Sequence, residues 1–357
     1  MACNAVHADD ITISEESRTD GMALVTKEDG AAPFVIDAAD AEVVATAAQA
    51  VCGDIETVTG VRPAVLTSVP SAGTAVIAGT IGQSSLIDGM VESGRLDVSG
   101  IKGKWEAFGL QMVENPVDGL DKALVVFGST PRGTAYALFE ISRLAGVSPF
   151  IWWADVAPQK RQALHVGGDR TLVGEPSVKY RGIFINDEDW GIWVWAKDNF
   201  ESDHGNMGPK TYAKVMELLL RLRANTLWPA MHHQTEAFWA NKDNLPVARR
   251  YDIVLGSSHC EQTLRDNLWE WDRYGGHGNS DFNYATNKTM VQKYWADRVG
   301  ESRGYDAIYT LGMRGVHDEG INGYPTTADK VRGLTEIIAY QRQLLADSIG
   351  DPTTIPQ

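Results

Sequence analysis

"GPKTYAKVMELLLRLRANTLWPAMHH", residues 208–233, contains a helix pattern and a strand pattern in direct succession. The first part has apolar residues at helical spacing, which predicts a helix ending near Ala224. "NTLWPAMHH" then has the pattern of a buried strand, and two histidines follow at its end. A helix that leads into a strand in this way is typical of a repeating β/α architecture.

The same succession recurs through the second half of the chain. "VKYRGIFIND" (178–187) predicts the strand before this helix, and "DIVLGSSHCE" (252–261) and "YDAIYTLGMRGVHDEG" (305–320) predict a third and a fourth strand. Further helical patterns occur in "LPVARRY" (245–251), "NKTMVQKYWADRVG" (287–300) and residues 326–348. Four strand-then-helix units with apolar strands predict the parallel strands of a (β/α)8 barrel of the TIM type.

The first half of the chain predicts a separate α/β domain over residues 33–175. Short apolar strands alternate there with helical stretches that end at Gly60 and Gly146. Residues 1–32 are expected to form an amino-terminal extension. A polar, glycine-containing connector separates the domain from residues 176–357, which we expect to hold the first half of an incomplete barrel.

Composition excludes several classes of partner. The formal net charge of −15, without a segregated basic patch, argues against nucleic acid and against an anionic membrane. No run approaches the ~18 apolar residues of a membrane span. Three scattered cysteines are too few for a disulfide framework or a zinc site. The first residues lack the pattern of a signal peptide, so a cytoplasmic location is the default expectation, with secretion left open if the amino terminus is incomplete.

Polar side chains follow each predicted strand of the second half. Because βα loops converge at the carboxyl ends of barrel strands, we expect these groups to line one rim. In chain order they are Asn186-Asp187-Glu188-Asp189, Met231-His232-His233, Ser258-His259-Cys260-Glu261 and Arg314-Gly315-Val316-His317-Asp318-Glu319. Four coincident polar ends favour an active site over four independent accidents.

Most of these groups also have an ordinary structural explanation. Glu188 and Asp189 could cap the next helix or remain solvated. Packing or hydrogen bonding suits His232 and His233 better than metal ligation, since adjacent strand residues point in opposite directions. Cys260 is expected to be a small buried thiol.

Two kinds of residue indicate which groups a ligand would carry. The guanidinium of Arg314, beside His317 and Asp318, suits bidentate capture of a carboxylate. Ten of the eleven tryptophans lie between residues 152 and 295. Indole rings stack on sugar faces and also fill cores, and their concentration around the acids favours carbohydrate, with Trp228 at a strand end as the expected contact.

Five ordered motifs resemble the signatures of glycoside hydrolase family 115, the xylan α-1,2-glucuronidases. They are "GVSPFIWWADVAP" (146–158), "YRGIFINDEDWG" (180–191), "LLLRLRANTLWPAMH" (218–232), "GSSHCE" (256–261) and "TLGMRGVHDEG" (310–320). The resemblance runs from about residue 33 to the last residue. It implies an α/β domain followed by a (β/α)8 catalytic barrel, and removal of glucuronic acid or its 4-O-methyl ether from glucuronoxylan or aldouronic acids.

The resemblance also implies inversion at the anomeric carbon, with no cofactor and no metal. Carried over by motif, Asp187 and Asp318 are expected to be the catalytic carboxylates. The residues expected to bind substrate are Asn186, Trp228, His232, His259, Glu261 and Arg314.

Two departures from the family pattern leave alternatives open. Gln262 stands where a proline is expected, which bears on the shape of that loop. A further active-site glutamate is expected beyond Gln357, so the chain is interpreted as an amino-terminal fragment. The alternatives are a non-catalytic carbohydrate-binding or non-functional fragment, and a hexosaminidase-like glycosidase, which "HCE" and "GMRGVHD" do not favour.

Overall fold

The structure, a computed structural model, describes residues 10–186, 189–274, 281–315, 318–351 and 354–356. The predicted site residue Asp187, the adjoining Glu188, and His317, which was expected beside Arg314, lie outside the described residues. The chain divides into two compact units, and the division falls between Lys179 and Tyr180. Unit 1 comprises Met1–Lys179, Leu220–Ala224 and Arg250–Asp252, and unit 2 comprises Tyr180–Leu219, Asn225–Arg249 and Ile253–Gln357.

Thirteen strands and eight α-helices are described. The strands are β1 (Thr12–Ser14), β2 (Met22–Thr26), β3 (Gly30–Ala31), β4 (Phe34–Ile36), β5 (Val65–Leu66), β6 (Thr74–Thr80), β7 (Phe108–Glu114), β8 (Lys122–Gly128), β9 (Leu164–Gly167), β10 (Arg170–Val173), β11 (Gly182–Phe184), β12 (Thr226–Trp228) and β13 (Val254–Leu255). The α-helices are α1 (Glu42–Thr59), α2 (Ser85–Glu92), α3 (Pro131–Leu144), α4 (Ile192–Trp195), α5 (Pro209–Arg221), α6 (Asn244–Arg250), α7 (Tyr284–Glu301) and α8 (Thr327–Ser348).

Unit 1 is an α/β unit with two sheets. The larger sheet has the order β10-β7-β8-β6-β4-β5; β5, β4, β6 and β8 pair in parallel, and β7 and β10 add antiparallel strands. Its centre is fully buried, as at Phe34, Val76 and Val125. The smaller antiparallel sheet, β1-β9-β2-β3, takes three strands from residues 1–32, the segment expected to form an extension ahead of this domain.

The end of α1 confirms the helix stop predicted at Gly60. The residue has φ of 81°, a left-handed conformation that glycine adopts without the steric cost of a side chain. Its N–H donates to the carbonyl of Glu56 at 2.7 Å, which satisfies one of the unpaired carbonyls at the helix end.

Unit 2 contains a parallel sheet of three short strands in chain order, β11-β12-β13. Helix α5 leads into β12, as the sequence predicted. Its buried side chains recur at helical spacing, at Tyr212, Val215, Met216 and Leu219. The buried carboxyl group of Glu201 accepts the N–H groups of Gly208, Lys210 and Thr211 at 2.8–2.9 Å, and these hydrogen bonds cap the helix start.

The prediction of a fourth strand over residues 305–320 is wrong: the described residues of this segment form no strand. Only Ala307 pairs with the sheet, through an isolated parallel bridge to Leu255. Leu255 donates to the carbonyl of Asp306 and accepts from the N–H of Ile308, both at 2.9 Å. Beyond this point the chain bonds elsewhere: the carbonyl of Thr310 accepts from the N–H of Thr263, and its hydroxyl donates to the carbonyl of Ser257. Sheet pairing therefore ends after one residue.

Three tryptophans of unit 2, Trp239, Trp271 and Trp295, are buried in its packing. Trp271 and Trp295 belong to an aromatic core that includes Tyr284 and Tyr294 on α7. Of the eleven tryptophans, all of which the structure describes, Trp190 is strongly exposed, at 77%, and Trp228 is partly exposed, at 37%. Part of the concentration of tryptophans therefore reflects core packing. In the described part of the chain, no helix is both long and apolar enough to cross a membrane.

Candidate functional site

The parallel sheet of unit 2 brings several predicted site residues to one edge. β11, β12 and β13 run in the same direction and Ala307 continues that order, so the segments after them leave the sheet at the same side. Asn186 lies two residues beyond β11 and is exposed. His232 and His259 follow β12 and β13. Asp187, which adjoins Asn186, is outside the described residues.

The carboxylate of Asp318 contacts two side chains, those of His259 and Arg314. Its Oδ1 lies 3.1 Å from His259 Nε2 and accepts a hydrogen bond from Arg314 Nη2 at 2.9 Å. The Asp318 side chain is 87% exposed. The hydrogen bond from His259, followed by the charge of Arg314, lowers the pKa of the Asp318 carboxyl below its ordinary value. Asp318 is therefore an accessible carboxylate that stays ionised at neutral pH.

A second pair joins the loops that follow β11 and β12. The carboxylate of Asp189 contacts His232 Nδ1 and also accepts the N–H of Gln234 at 3.0 Å. Asp189 has φ of 60°, the left-handed region that aspartate tolerates better than most side chains. The sequence alone suggests a helix cap or a solvated acid at this position. Its position in an acidic run was the only sequence signal for the contact.

Trp228 forms a partly exposed platform at the end of β12. The indole packs over Gly256, where an added Cβ would lie 2.3 Å from Trp228 Nε1. Phe184 supports the ring edge-to-face, with centroids 5.8 Å apart. A flat indole that is held from two sides and exposed on another can stack on a sugar ring.

Glu261 lies beneath the surface of the site. Glu261 is 5% exposed, and its Oε2 accepts a hydrogen bond from the N–H of Ser258 at 3.2 Å. Burial, with the nearby charge of Asp266 as the next cause, raises the pKa of Glu261 well above its ordinary value. In this position the side chain fixes the turn that carries His259.

A buried ionic network continues from this turn. Glu270 Oε1 accepts from Arg298 Nη2 at 2.5 Å, and Arg298 Nη1 donates to the carbonyl of Leu264 at 2.9 Å. Arg298 is 1% exposed. Sequence reasoning missed this network, because neither residue belongs to a recognisable motif.

Cys260 lies in the same turn as His259, and its thiol is buried. Burial raises its pKa to about 11, partly opposed by the charge of Arg314. The thiol is thus protonated at neutral pH, as expected of a structural cysteine. One ligand atom from each of His259, Cys260 and Asp318 lies within 4.8 Å of the others, the only grouping of potential metal ligands found among the described residues.

Two solved structures resemble this chain only weakly. A mutant β-hexosaminidase of Streptomyces plicatus in complex with GlcNAc is 10% identical, with TM-score 0.49, covering 95% of this chain and 66% of that one. A GH20 exo-β-N-acetylglucosaminidase of Vibrio harveyi is 9% identical, with TM-score 0.36, covering 70% and 34%. These values carry no functional argument. Comparison with curated protein sequences gave no match.

Comparison with families and solved structures identifies the group to which these motifs belong. The family described as "Glycosyl hydrolase family 115" matches residues 173–357. A solved GH115 4-O-methyl-α-glucuronidase, described as having specificity for decorated arabinogalactans, is 41% identical, with TM-score 0.82. The match covers 94% of this chain and 42% of that one, so the chain spans less than half the length of that enzyme. The family match and this identity, maintained over nearly the whole sequence, establish that the chain belongs to glycosyl hydrolase family 115.

Proposed function

We propose that this chain is part of an inverting glycoside hydrolase that removes α-linked glucuronic acid, or its 4-O-methyl ether, from a decorated polysaccharide. The observation that carries the proposal is Asp318, an exposed carboxylate oriented by His259 and Arg314 beyond the carboxyl ends of a parallel sheet. Family membership supplies the class of reaction.

In this proposal Asp318 acts as the general base. Inversion needs a carboxylate to activate water and a carboxylic acid to protonate the leaving oxygen, about 6.5–9.5 Å apart. A carboxyl whose pKa is lowered by His259 and Arg314 is ionised and suits the first role. Asp187 is the candidate for the second role, or for assisting a residue outside this chain that takes it.

Arg314 has a double role in this arrangement. A guanidinium carries five N–H donors, and the contact with Asp318 engages Nη2. Capture of the uronate carboxylate through other donors is compatible with that contact. Arg314 would then place the acidic sugar and the base in a fixed relation.

Of the remaining predicted site residues, some would contact the substrate and one would stabilise the turn that carries His259. Trp228 offers a stacking face, and Asn186 and His232 lie on the loops beside it, where they can contact sugar hydroxyls. For Glu261 the buried position favours support of the His259 turn over direct contact with substrate.

For the architecture, we propose that unit 2 is the first part of a (β/α)8 barrel. The order β11-β12-β13 followed by Ala307 supports this, because barrel strands are parallel and adjacent in chain order. The boundary proposed at residue 176 lies close to the division between Lys179 and Tyr180.

The proposal is tested by measuring hydrolysis of two substrates by a protein that contains this chain. Glucuronoxylan is the substrate class that the sequence motifs suggest, and decorated arabinogalactan is that of the similar enzyme. Released uronic acid is quantified, and proton NMR identifies the anomer that forms first. We expect release as the β-anomer, loss of release in Asp318→Asn, and no loss in Asp347→Asn, an exposed carboxylate on α8. Binding of polysaccharide without release would favour the carbohydrate-binding alternative.

A further inference from the structure

Three chemically different ligand atoms converge at the exposed end of the His259 turn. His259 contributes a ring nitrogen, Cys260 a sulfur and Asp318 a carboxylate oxygen, and these atoms lie within 4.8 Å of one another. Two of them come from the turn after β13 and the third from the segment after Ala307. Proton transfer at a glycosidic bond does not require the thiol.

The spacing is close to that of a tetrahedral metal site. Zinc binds nitrogen and oxygen at about 2.0–2.2 Å and thiolate sulfur at about 2.3 Å, which places ligand pairs about 3.3–3.8 Å apart. The His259 and Asp318 atoms are already 3.1 Å apart. A cation would replace the hydrogen bond between them, and the longest separation in the set has to shorten by about an ångström.

The donor types restrict which cation fits. Binding would require Cys260 to release its thiol proton to solvent, and the thiolate so formed favours zinc, cadmium or copper over magnesium and calcium, which prefer oxygen. The His259 and Asp318 side chains are 51% and 87% exposed, so solvent or another ligand can reach the cation from outside. Three protein ligands with an open fourth position form an incomplete coordination shell, unlike the four protein ligands of a closed structural zinc site.

We propose that His259, Cys260 and Asp318 bind a thiophilic divalent cation such as Zn²⁺, and that this cation and the carbohydrate exclude each other. The second half of this statement rests on the proposed function, because it follows from Asp318 being the base. Arg314 lies 2.9 Å from the same carboxylate oxygen, and its positive charge opposes a cation. This charge should weaken binding of the cation, and a cation held by Asp318 would inhibit hydrolysis because it occupies the proposed base.

Cobalt is the direct probe, since a thiolate-to-Co²⁺ charge-transfer band reports the sulfur ligand without any assay of activity. The protein, freed of metal with a chelator, is titrated with Co²⁺, and Zn²⁺ is then added as competitor. We expect one saturable band, abolished by Zn²⁺ and absent in Cys260→Ala. Cys52→Ala is the matched control, because Cys52 is also a buried cysteine and lies in unit 1. A band that persists in Cys260→Ala, or no band in the wild type, overturns the proposal.

A second pair of variants covers the case in which Cys260→Ala does not fold. His259→Gln and Asp318→Asn retain the thiol and alter exposed side chains, and each is expected to weaken Co²⁺ binding at least about tenfold. Unchanged affinity in both contradicts the ligand set. In the activity arm, Zn²⁺ should raise KM for an aldouronic acid in the wild type and leave kcat unchanged. A cobalt band with no hydrolysis contradicts the proposed function alone, whereas hydrolysis that is insensitive to Zn²⁺ contradicts the exclusion alone.

Discussion

Asp318 Oδ1 lies 3.1 Å from His259 Nε2, although the two residues are 59 positions apart in the chain. They meet because Leu255 and Ala307 pair in parallel, so the segments that follow each of them leave the sheet side by side. Arg314 reaches the same oxygen from within the Asp318 segment. The contact thus follows from strand order, and it fixes the ionisation of the carboxylate that we propose as the base.

The first prediction concerns that carboxylate. Asp318→Asn keeps a similar shape but removes the base, so kcat should fall by about 10²–10⁴-fold while the thermal unfolding midpoint stays within a few degrees. His259→Ala should leave Asp318 in place but raise its pKa, because the largest cause of the lowering is removed. The acidic limb of the pH–activity profile should then move to higher pH. An unmoved limb in His259→Ala would contradict the role of this hydrogen bond.

The second prediction tests recognition of the uronate. Arg314→Lys keeps the positive charge but loses the planar fork, at an expected cost of about 1.5–3 kcal/mol, or roughly 10–150-fold in kcat/KM. The loss should be greatest for substrates with a free carboxylate and smaller for their methyl esters. Equal losses on acid and ester would assign Arg314 only to the orientation of Asp318.

Local patterns in the sequence predicted the helices of unit 2 well and its strands poorly. Helix α8 was expected over 326–348 and is found at Thr327–Ser348, because side-chain periodicity and the Thr326 cap are local properties. Strand β13 is only two residues long, and the expected fourth strand is a single bridge. Hydrogen bonds to distant loops set those lengths, and no local pattern encodes such bonds.

The candidate site shows the same division. Residue type and position after a strand predicted that His259, Arg314 and Asp318 lie near one another, and the structure shows these contacts. The burial of Glu261 was not predicted, because it depends on side chains such as Asp266 and Arg298 that pack around it in three dimensions.

The third prediction concerns the indole platform. In Gly256→Ala, the new Cβ would collide with Trp228 at 2.3 Å, and the neighbouring atom is part of a rigid ring. The indole must therefore shift, and KM should rise by about 2–12-fold, the loss of one aromatic contact of about 0.5–1.5 kcal/mol. Gly300→Ala on α7 is the control, since its Cβ would meet nothing within 4 Å. Equal KM values for the two variants would argue against stacking on Trp228.

The fourth prediction concerns the buried ion pair behind the site. Arg298→Met leaves Glu270 buried without its closest cation, and this should lower the free energy of unfolding of unit 2 by about 3–5 kcal/mol. Arg332→Met removes an ion pair in which the arginine side chain is 73% exposed and should cost about 0–1 kcal/mol. Urea unfolding followed by tryptophan fluorescence measures both. In the double variant Arg298→Met, Glu270→Gln, part of the loss should be recovered, because no buried charge then lacks its partner.

The last prediction concerns the pH dependence of stability at Asp266. This residue is 1% exposed, and its Oδ1 accepts the N–H groups of Leu268 at 2.7 Å and Trp269 at 2.6 Å. Burial, followed by the negative charge of Glu270, raises the pKa of Asp266 to about 7, and the N–H donors only partly oppose this. Glu261 is shifted in the same direction, and Arg298 provides the nearby positive charge.

A raised pKa in the folded state fixes the sign of the effect. Between about pH 4 and pH 7 the folded protein holds a proton at Asp266 that the unfolded chain has released, so the contribution of this group falls as pH rises. The contribution of Asp266 to the free energy of unfolding should fall by up to about 1.4 kcal/mol per pH unit. It should stop changing above the pKa that Asp266 has in the folded protein. Asp266→Asn retains an oxygen acceptor for Leu268 and Trp269 but cannot titrate. Urea unfolding across this range should therefore give the variant a flatter profile and, relative to wild type, its greatest advantage near pH 8. Asp347→Asn should keep the wild-type slope, and an Asp266→Asn profile parallel to wild type would show that this carboxyl is ionised throughout.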